Sequence, residues 1–230
     1  MLRLIRDSFR DLTRFERILW CCSLLVVSAS FLLSPERDLL SLTASLIGVT
    51  ALIFVSKGYV LGQALTVVFA VFYGVISFFF RYYGEVITYL CMTAPVAAFS
   101  VISWLQHPYK GSREVEISPL TGRTVLLLLL LTAAVTAVFW FILGALGNAN
   151  LLFSTLSVAT SFLASCLAFL RSPYYALAYS ANDAVLIILW IMASAVNIAY
   201  LPMVLCFVMF LANDLYGFIN WRRIGRRQAE

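Results

Sequence analysis

Eight uninterrupted apolar runs, each about as long as a bilayer is thick, constrain this chain more than any other feature. They lie at roughly 18–34, 39–55, 60–80, 85–105, 124–146, 150–170, 175–194 and 200–220. A helix needs about 20 predominantly apolar residues to cross the ~30 Å hydrocarbon core. Runs this long, without two-residue alternation, read as helices rather than barrel strands. The composition agrees, with 63% hydrophobic and 12% charged residues in 230, against ~45–50% and ~25% in soluble domains. A soluble fold of this size has too little interior for so many apolar side chains.

The joints between runs are short and rich in Pro, Gly and charge: Ser34 to Asp38, Ser56 to Gly58, Arg81 to Gly84, Gly147 to Asn150 and Arg171 to Pro173. Only Gln106 to Arg123 forms a long loop. With eight spans, both termini share a side of the membrane. Of the 16 basic residues only Arg37 and Arg81 fall on the opposite side, so the positive-inside rule makes both termini cytoplasmic. The first run is expected to be retained rather than cleaved as a signal peptide, because Asp7, Asp11 and Glu16 accompany the arginines before it. Residues 2–17 are expected to form a short surface helix with Leu2, Ile5, Phe9, Leu12 and Phe15 on its apolar face.

Several function classes drop out. A single histidine, His107, leaves no histidine-based metal centre and no Ser-His-Asp triad. The five cysteines show no Cys-x-x-Cys spacing and read as buried small hydrophobes. There is no paired acid, base and nucleophile, so the chain is not expected to be an enzyme, and no cofactor is expected. The net charge of +5 comes from ends and loops, not from a groove-forming basic helix, so nucleic acid is not an expected partner.

The chain also resembles itself. Ser45 and Ser161, and Ser56 and Ser172, match at an offset of 116; Tyr73 and Trp190, Tyr83 and Tyr200, and Trp104 and Trp221 match at 117. The expected architecture is an all-α membrane protein of eight helices in a 1+3+1+3 arrangement, with two parallel three-helix repeats joined by a linker helix. Residues 1–38 hold the amphipathic segment and an extra span, 39–105 the first repeat, 106–149 the loop and linker helix, 150–221 the second repeat, and 222–230 a basic tail. Parallel repeats are a transporter plan, with the solute held near the midplane between them.

Polar groups inside spans mark where that site would be, since ionisable residues at this depth are costly. Asp183 and Asp214 sit well inside spans seven and eight, followed by Asn182, Asn213, Tyr179 and Trp190, with Gln63 and Tyr73 from the facing repeat. The Ser157, Ser161 and Ser165 stripe reads as a close-packing seam, and Tyr82, Tyr83, Tyr200 and Trp221 as interfacial belt. No Lys or Arg lies well inside any span. Acids, amides, hydroxyls and aromatic faces suit a neutral or cationic, polyhydroxylated, aromatic solute.

Tyr82-Tyr83-Gly84-Glu85, Ser103-Trp104, Ser172-Pro173-Tyr174-Tyr175, Asn182-Asp183 and above all Asn213 to Arg223 (NDLYGFINWRR) give the chain its closest likeness. Over residues 15–225 it resembles the PnuC vitamin-transporter family, and within it the nicotinamide riboside branch. The resemblance implies a fold related to SWEET-type sugar facilitators, a homotrimer in the inner membrane, and uptake by facilitated diffusion. Because Trp190, Tyr179, Asn182 and Asp183 are spaced for one broad face of span seven, Trp190 is expected to stack on or face the pyridinium ring of such a solute while Asn182 contacts its carboxamide or ribose. Thiamine, riboflavin and deoxynucleosides remain alternative solutes. The lack of a Gly-x4-Gly-Lys-Ser/Thr loop agrees with transport without ATP.

Overall fold

The computed structural model describes residues 2–34, 39–79, 86–148 and 150–230. Arg37, Arg81 and the Tyr82-Tyr83-Gly84-Glu85 motif lie outside the described residues, as do the side chains of Leu2 and Ile5.

The described chain is helical: α1 (Leu2–Arg10), α2 (Arg14–Leu32), α3 (Leu39–Ser56), α4 (Val60–Phe79), a π-helical segment (Ile87–Thr93) leading into α5 (Ala94–Gln106), α6 (Gly122–Ala145), α7 (Leu151–Phe169), α8 (Tyr174–Val196) and α9 (Leu201–Ala229). Among the described residues, seven helices are long and apolar enough to cross a membrane; the apolar stretch of α4, Val60–Ile76, is shorter. Helix α9 was expected to end near residue 220. It runs on through the basic tail, with Arg226 and Arg227 in its last turn, where cations suit the negative helix end.

Helices α3, α4, α5, α7, α8 and α9 pack each on the next and close into a ring. Helix α2 lies against α3 and α9, while α6 packs mainly on α7. At one end the ring is clasped twice in the same way. Trp104 on α5 donates its indole N–H to the Ala168 carbonyl on α7 at 2.9 Å, and Ser103 donates to Phe169 at 3.1 Å. Trp221 on α9 donates to the Val55 carbonyl on α3 at 2.8 Å, and Asn220 to Ser56 at 2.9 Å. The donors are 117 residues apart in sequence and the acceptors 113, so each three-helix unit grips the first helix of the other.

The ends of α3 and α7 repeat at the same spacing of 113. Each closes with a left-handed residue, Gly58 at φ 69° and Arg171 at φ 58°. The next amide returns to the helix in both: Tyr59 to Phe54 at 3.0 Å and Ser172 to Leu167 at 3.0 Å, as in a Schellman cap. The serine matches at 116 are therefore not the geometric ones; Ser56 has Phe169 as its counterpart. The long loop binds both caps, Val115 N–H to Gly58 at 2.9 Å and Ser118 N–H to Arg171 at 3.1 Å. Val115 is buried beneath the two tryptophans. Trp221 is thus not a belt residue: it is fully buried, and its N–H is satisfied by backbone rather than by the interface.

The N-terminal segment breaks at Thr13, which caps α2 in a reciprocal box with Glu16. Phe9 and Leu12 pack on Phe54 and Trp20 as expected for an apolar face, but Phe15 points outward. Asp7 and Asp11 bind Arg113 of the loop. Glu16, 1% exposed, pairs with Lys57 at 3.0 Å and accepts from the Tyr216 hydroxyl at 2.8 Å. Of the cysteines, Cys206 is buried, but Cys21, Cys22 and Cys91 lie on the outer surface, where apolar runs meet lipid rather than protein.

Candidate functional site

Helix α8 turns a polar face toward α7. The Asn182 side-chain carbonyl accepts from Ser157 and from Thr160, both at 3.0 Å, and the Ser165 hydroxyl meets Tyr179 OH at 2.9 Å. Ser157 and Ser165 of the supposed packing seam on α7, with Thr160 beside it, thus hold the side chains of α8 in place. With its carbonyl occupied twice, Asn182 keeps its NH2 as the group able to meet a solute.

Next to Asn182, Asp183 on α8 and Asp214 on α9 bring their carboxyl groups within hydrogen-bonding reach of each other. They are 3% and 4% exposed. Two carboxyl groups can share a hydrogen bond only if one carries a proton. Asp183 Oδ2 is buried and has no partner among the described residues.

The pair lines a cavity inside the ring of helices, with Gly48, Ala51 and Leu52 from α3, Gln63, Thr66 and Phe69 from α4, Tyr89 and Thr93 from the π-helical segment, Ser161 from α7, Tyr179, Asn182 and Leu186 from α8, and Phe207 and Phe210 from α9. No Lys, Arg or His is among these lining residues. The π-helical segment has a local cause. Pro95 has no N–H to return to Cys91, so the ladder widens there, and the Thr93 hydroxyl bonds back five residues to Thr88 at 3.1 Å. Gly48 makes room on the opposite wall, where a Cβ would lie 2.6 Å from the Phe210 ring. The void measures about 80 Å³, well below the ~300–1,000 Å³ of most ligand pockets.

Five sequence-predicted site residues therefore meet in one place: Gln63, Tyr179, Asn182, Asp183 and Asp214. Three do not line it. Trp190 lies two turns further along α8, where its ring meets Tyr200 at 5.7 Å. Tyr73 stands behind the wall, ring to ring with Tyr89 at 4.7 Å. Asn213 turns to α2, donating to Ser23 at 3.0 Å and to its own helix at Met209. Sharing a helix with Asp183 or Asp214 did not mean sharing its face, because each residue turns the direction by ~100°. Sequence reading missed Phe69, Phe207 and Phe210, which carry no signal among so many apolar neighbours. In the second unit's frame, Asp214 has Ala97 as its counterpart at 117, so the charge is a feature of one repeat only.

A family model described as nicotinamide mononucleotide transporter matches residues 38–223. The chain belongs to this family, the PnuC family. Its relatives include a nicotinamide riboside transporter PnuC of Neisseria mucosa, 28% identical over 97% of this chain and 87% of that protein. Another, of the same description, is from Haemophilus influenzae, 22% identical over 91% of each. A crystal structure of the vitamin B3 transporter PnuC superposes with a TM-score of 0.80 at 28% identity, covering 94% of both chains. Family members of this kind are membrane transporters, and the helical bundle described here has their fold.

Proposed function

We propose that this chain carries nicotinamide riboside into the cell across the inner membrane, by facilitated diffusion and without ATP. The observation that carries the reading is the cavity itself: a carboxyl pair, an amide donor at Asn182, hydroxyls and aromatic rings, with no basic residue among the described residues that line it. The pyridinium ring is a cation, and the ribose offers only hydroxyls. The mononucleotide adds a phosphate of about −1.5 to −2 charges. Unit charges ~6 Å apart repel by about 3 kcal/mol at an effective dielectric of ~20. A phosphate beside Asp183 and Asp214 would meet that repulsion with no base to offset it, so the riboside is the better fit.

The proposed architecture is eight spans, 1+3+1+3, with both termini cytoplasmic and three copies per assembly. The paired tryptophan clasps and the helix caps repeating at 113 support the two-unit plan. The void is too small for a nucleoside, so the units must part to admit one, as rocking repeats do. Gln63, Tyr179, Asn182, Asp183 and Asp214 are the proposed contacts.

The test is calorimetry on purified protein against nicotinamide riboside, its mononucleotide, thiamine, riboflavin and deoxynucleosides, followed by counterflow of labelled riboside in liposomes without ATP. Saturable riboside binding and counterflow are expected. Binding of the mononucleotide as tight as that of the riboside would sink the assignment.

A further inference from the structure

Asp183 and Asp214 do more than add polarity to the cavity. Both acids line the cavity, both are buried, their carboxyl groups lie within hydrogen-bonding reach, and no Lys, Arg or His lines the same space among the described residues. A hydrogen bond between two carboxyl groups requires one proton on the pair. That leaves at most one negative charge, and a second proton would remove it. Asp183 Oδ2, buried and unpartnered among the described residues, is the atom at which a positive group would gain most. Other titratable groups face the pair or its cavity: Tyr175 and Tyr179 on α8, Cys206 on α9 and Tyr89 on the π-helical segment, with Cys166 on α7 behind Tyr179; the lining residues of α3 and α4 carry none. Phenols and thiols of ordinary pKa, ~8.5–10, are neutral through the range ~5–8. Within that range the carboxyl pair is the one variable charge among the described residues that line the cavity.

We propose that Asp183 and Asp214 form a cation site at which solute and proton compete: a monocationic ring binds the pair when it holds one proton and is excluded, or expels a proton, when it holds two. This rests on the proposed riboside reading but extends to any monocation of similar shape. The balance is simple. The singly protonated pair plus a monocation is neutral, and no proton moves. The doubly protonated pair releases one proton to solvent as the cation enters, again leaving the site neutral. The sign follows: affinity for a cation is full at high pH and falls as pH is lowered through the pair's second protonation, at most tenfold per pH unit. Affinity for a neutral ligand does not change.

The experiment is calorimetric titration of intact protein at pH values from ~5 to ~8 with three cations, nicotinamide riboside, thiamine and 1-methylnicotinamide, and with neutral uridine and riboflavin. Each is repeated in two buffers of different ionisation enthalpy to count protons released. The expected result is a dissociation constant for a cation that rises as pH falls, with up to one proton released at the acid end. In the Asp183→Asn/Asp214→Asn variant the slope should vanish and cation affinity should fall at least tenfold. The variant must first elute as a single peak; the buffer comparison on the parent needs no variant. Cation binding that is independent of pH with no proton released, or a slope that survives the double substitution, overturns the proposal, as does the absence of binding by any of the three cations. If thiamine or 1-methylnicotinamide shows the slope while the riboside does not bind, the cation site stands and the riboside assignment falls.

Discussion

Trp104 and Trp221 meet ring to ring at 5.3 Å between centroids, and each donates its N–H to a carbonyl of the other unit's first helix. The two residues are thus the centre of a two-fold clasp. Each acceptor also takes a backbone N–H from its own cap, Arg171 to Ala168 and Gly58 to Val55, so losing one indole donor leaves no orphan carbonyl. Trp221→Phe should cost about 1 kcal/mol. In the double variant with Trp104→Phe, contact between the rings should make the costs non-additive by ~0.5 kcal/mol or more. Thermal melting in detergent reads both; strict additivity would mean that the two clasps act independently.

Lys57 neutralises Glu16, which also holds Tyr216 and caps α2. Removing the cation alone leaves a buried carboxylate. Lys57→Met should destabilise toward the low end of the ~3–5 kcal/mol seen when a buried pair is broken, because both side chains border a water-accessible cleft. Adding Glu16→Gln should recover most of the loss. A Lys57→Met protein that melts like the parent would show that the pair contributes nothing.

Gly58 sits at φ 69°, and its carbonyl receives Val115. A side chain there meets left-handed strain, and its Cβ would lie 3.4 Å from Val115. Gly58→Ala should cost about 1–2 kcal/mol, measurable as a lower melting temperature. Arg171→Gly relieves the same strain at the partner cap and should be neutral or stabilising. Reversal of the two effects would remove the caps from the account of stability.

Asn182 lines the cavity and Trp190 does not, so their truncations should part company. Asn182→Ala should raise the dissociation constant of nicotinamide riboside about five- to thirtyfold, for a loss of ~1–2 kcal/mol. Trp190→Ala should change it less than threefold while lowering thermal stability through the lost contact with Tyr200. Isothermal titration on folded protein decides; equal losses for both would bring the solute two turns further along α8.

A phosphatase that folds only in the periplasm, fused after Glu230, should be inactive in cells if both termini are cytoplasmic. High activity there would overturn the eight-span topology and the orientation drawn from the basic residues.

The run lengths, the positions of Pro and Gly, and the distribution of arginine determined that this is a helical membrane bundle, roughly where each helix ends, and that Asp183 and Asp214 are exceptional. Those properties are local or additive: hydrocarbon thickness sets the run length, and a carboxyl group at that depth is costly wherever its neighbours are. The 117-residue echo of Trp104 in Trp221 was also visible, but not its meaning, since nothing in one dimension tells a belt tryptophan from one bonded to a distant carbonyl. Only the tertiary structure decided which faces meet. It joined two acids 31 positions apart, turned Asn213 to Ser23 and Trp190 to Tyr200, and recruited Phe207 and Phe210 to the cavity. In an apolar helix nearly every face is hydrophobic, so periodicity cannot say which one looks inward; the packing of the ring does.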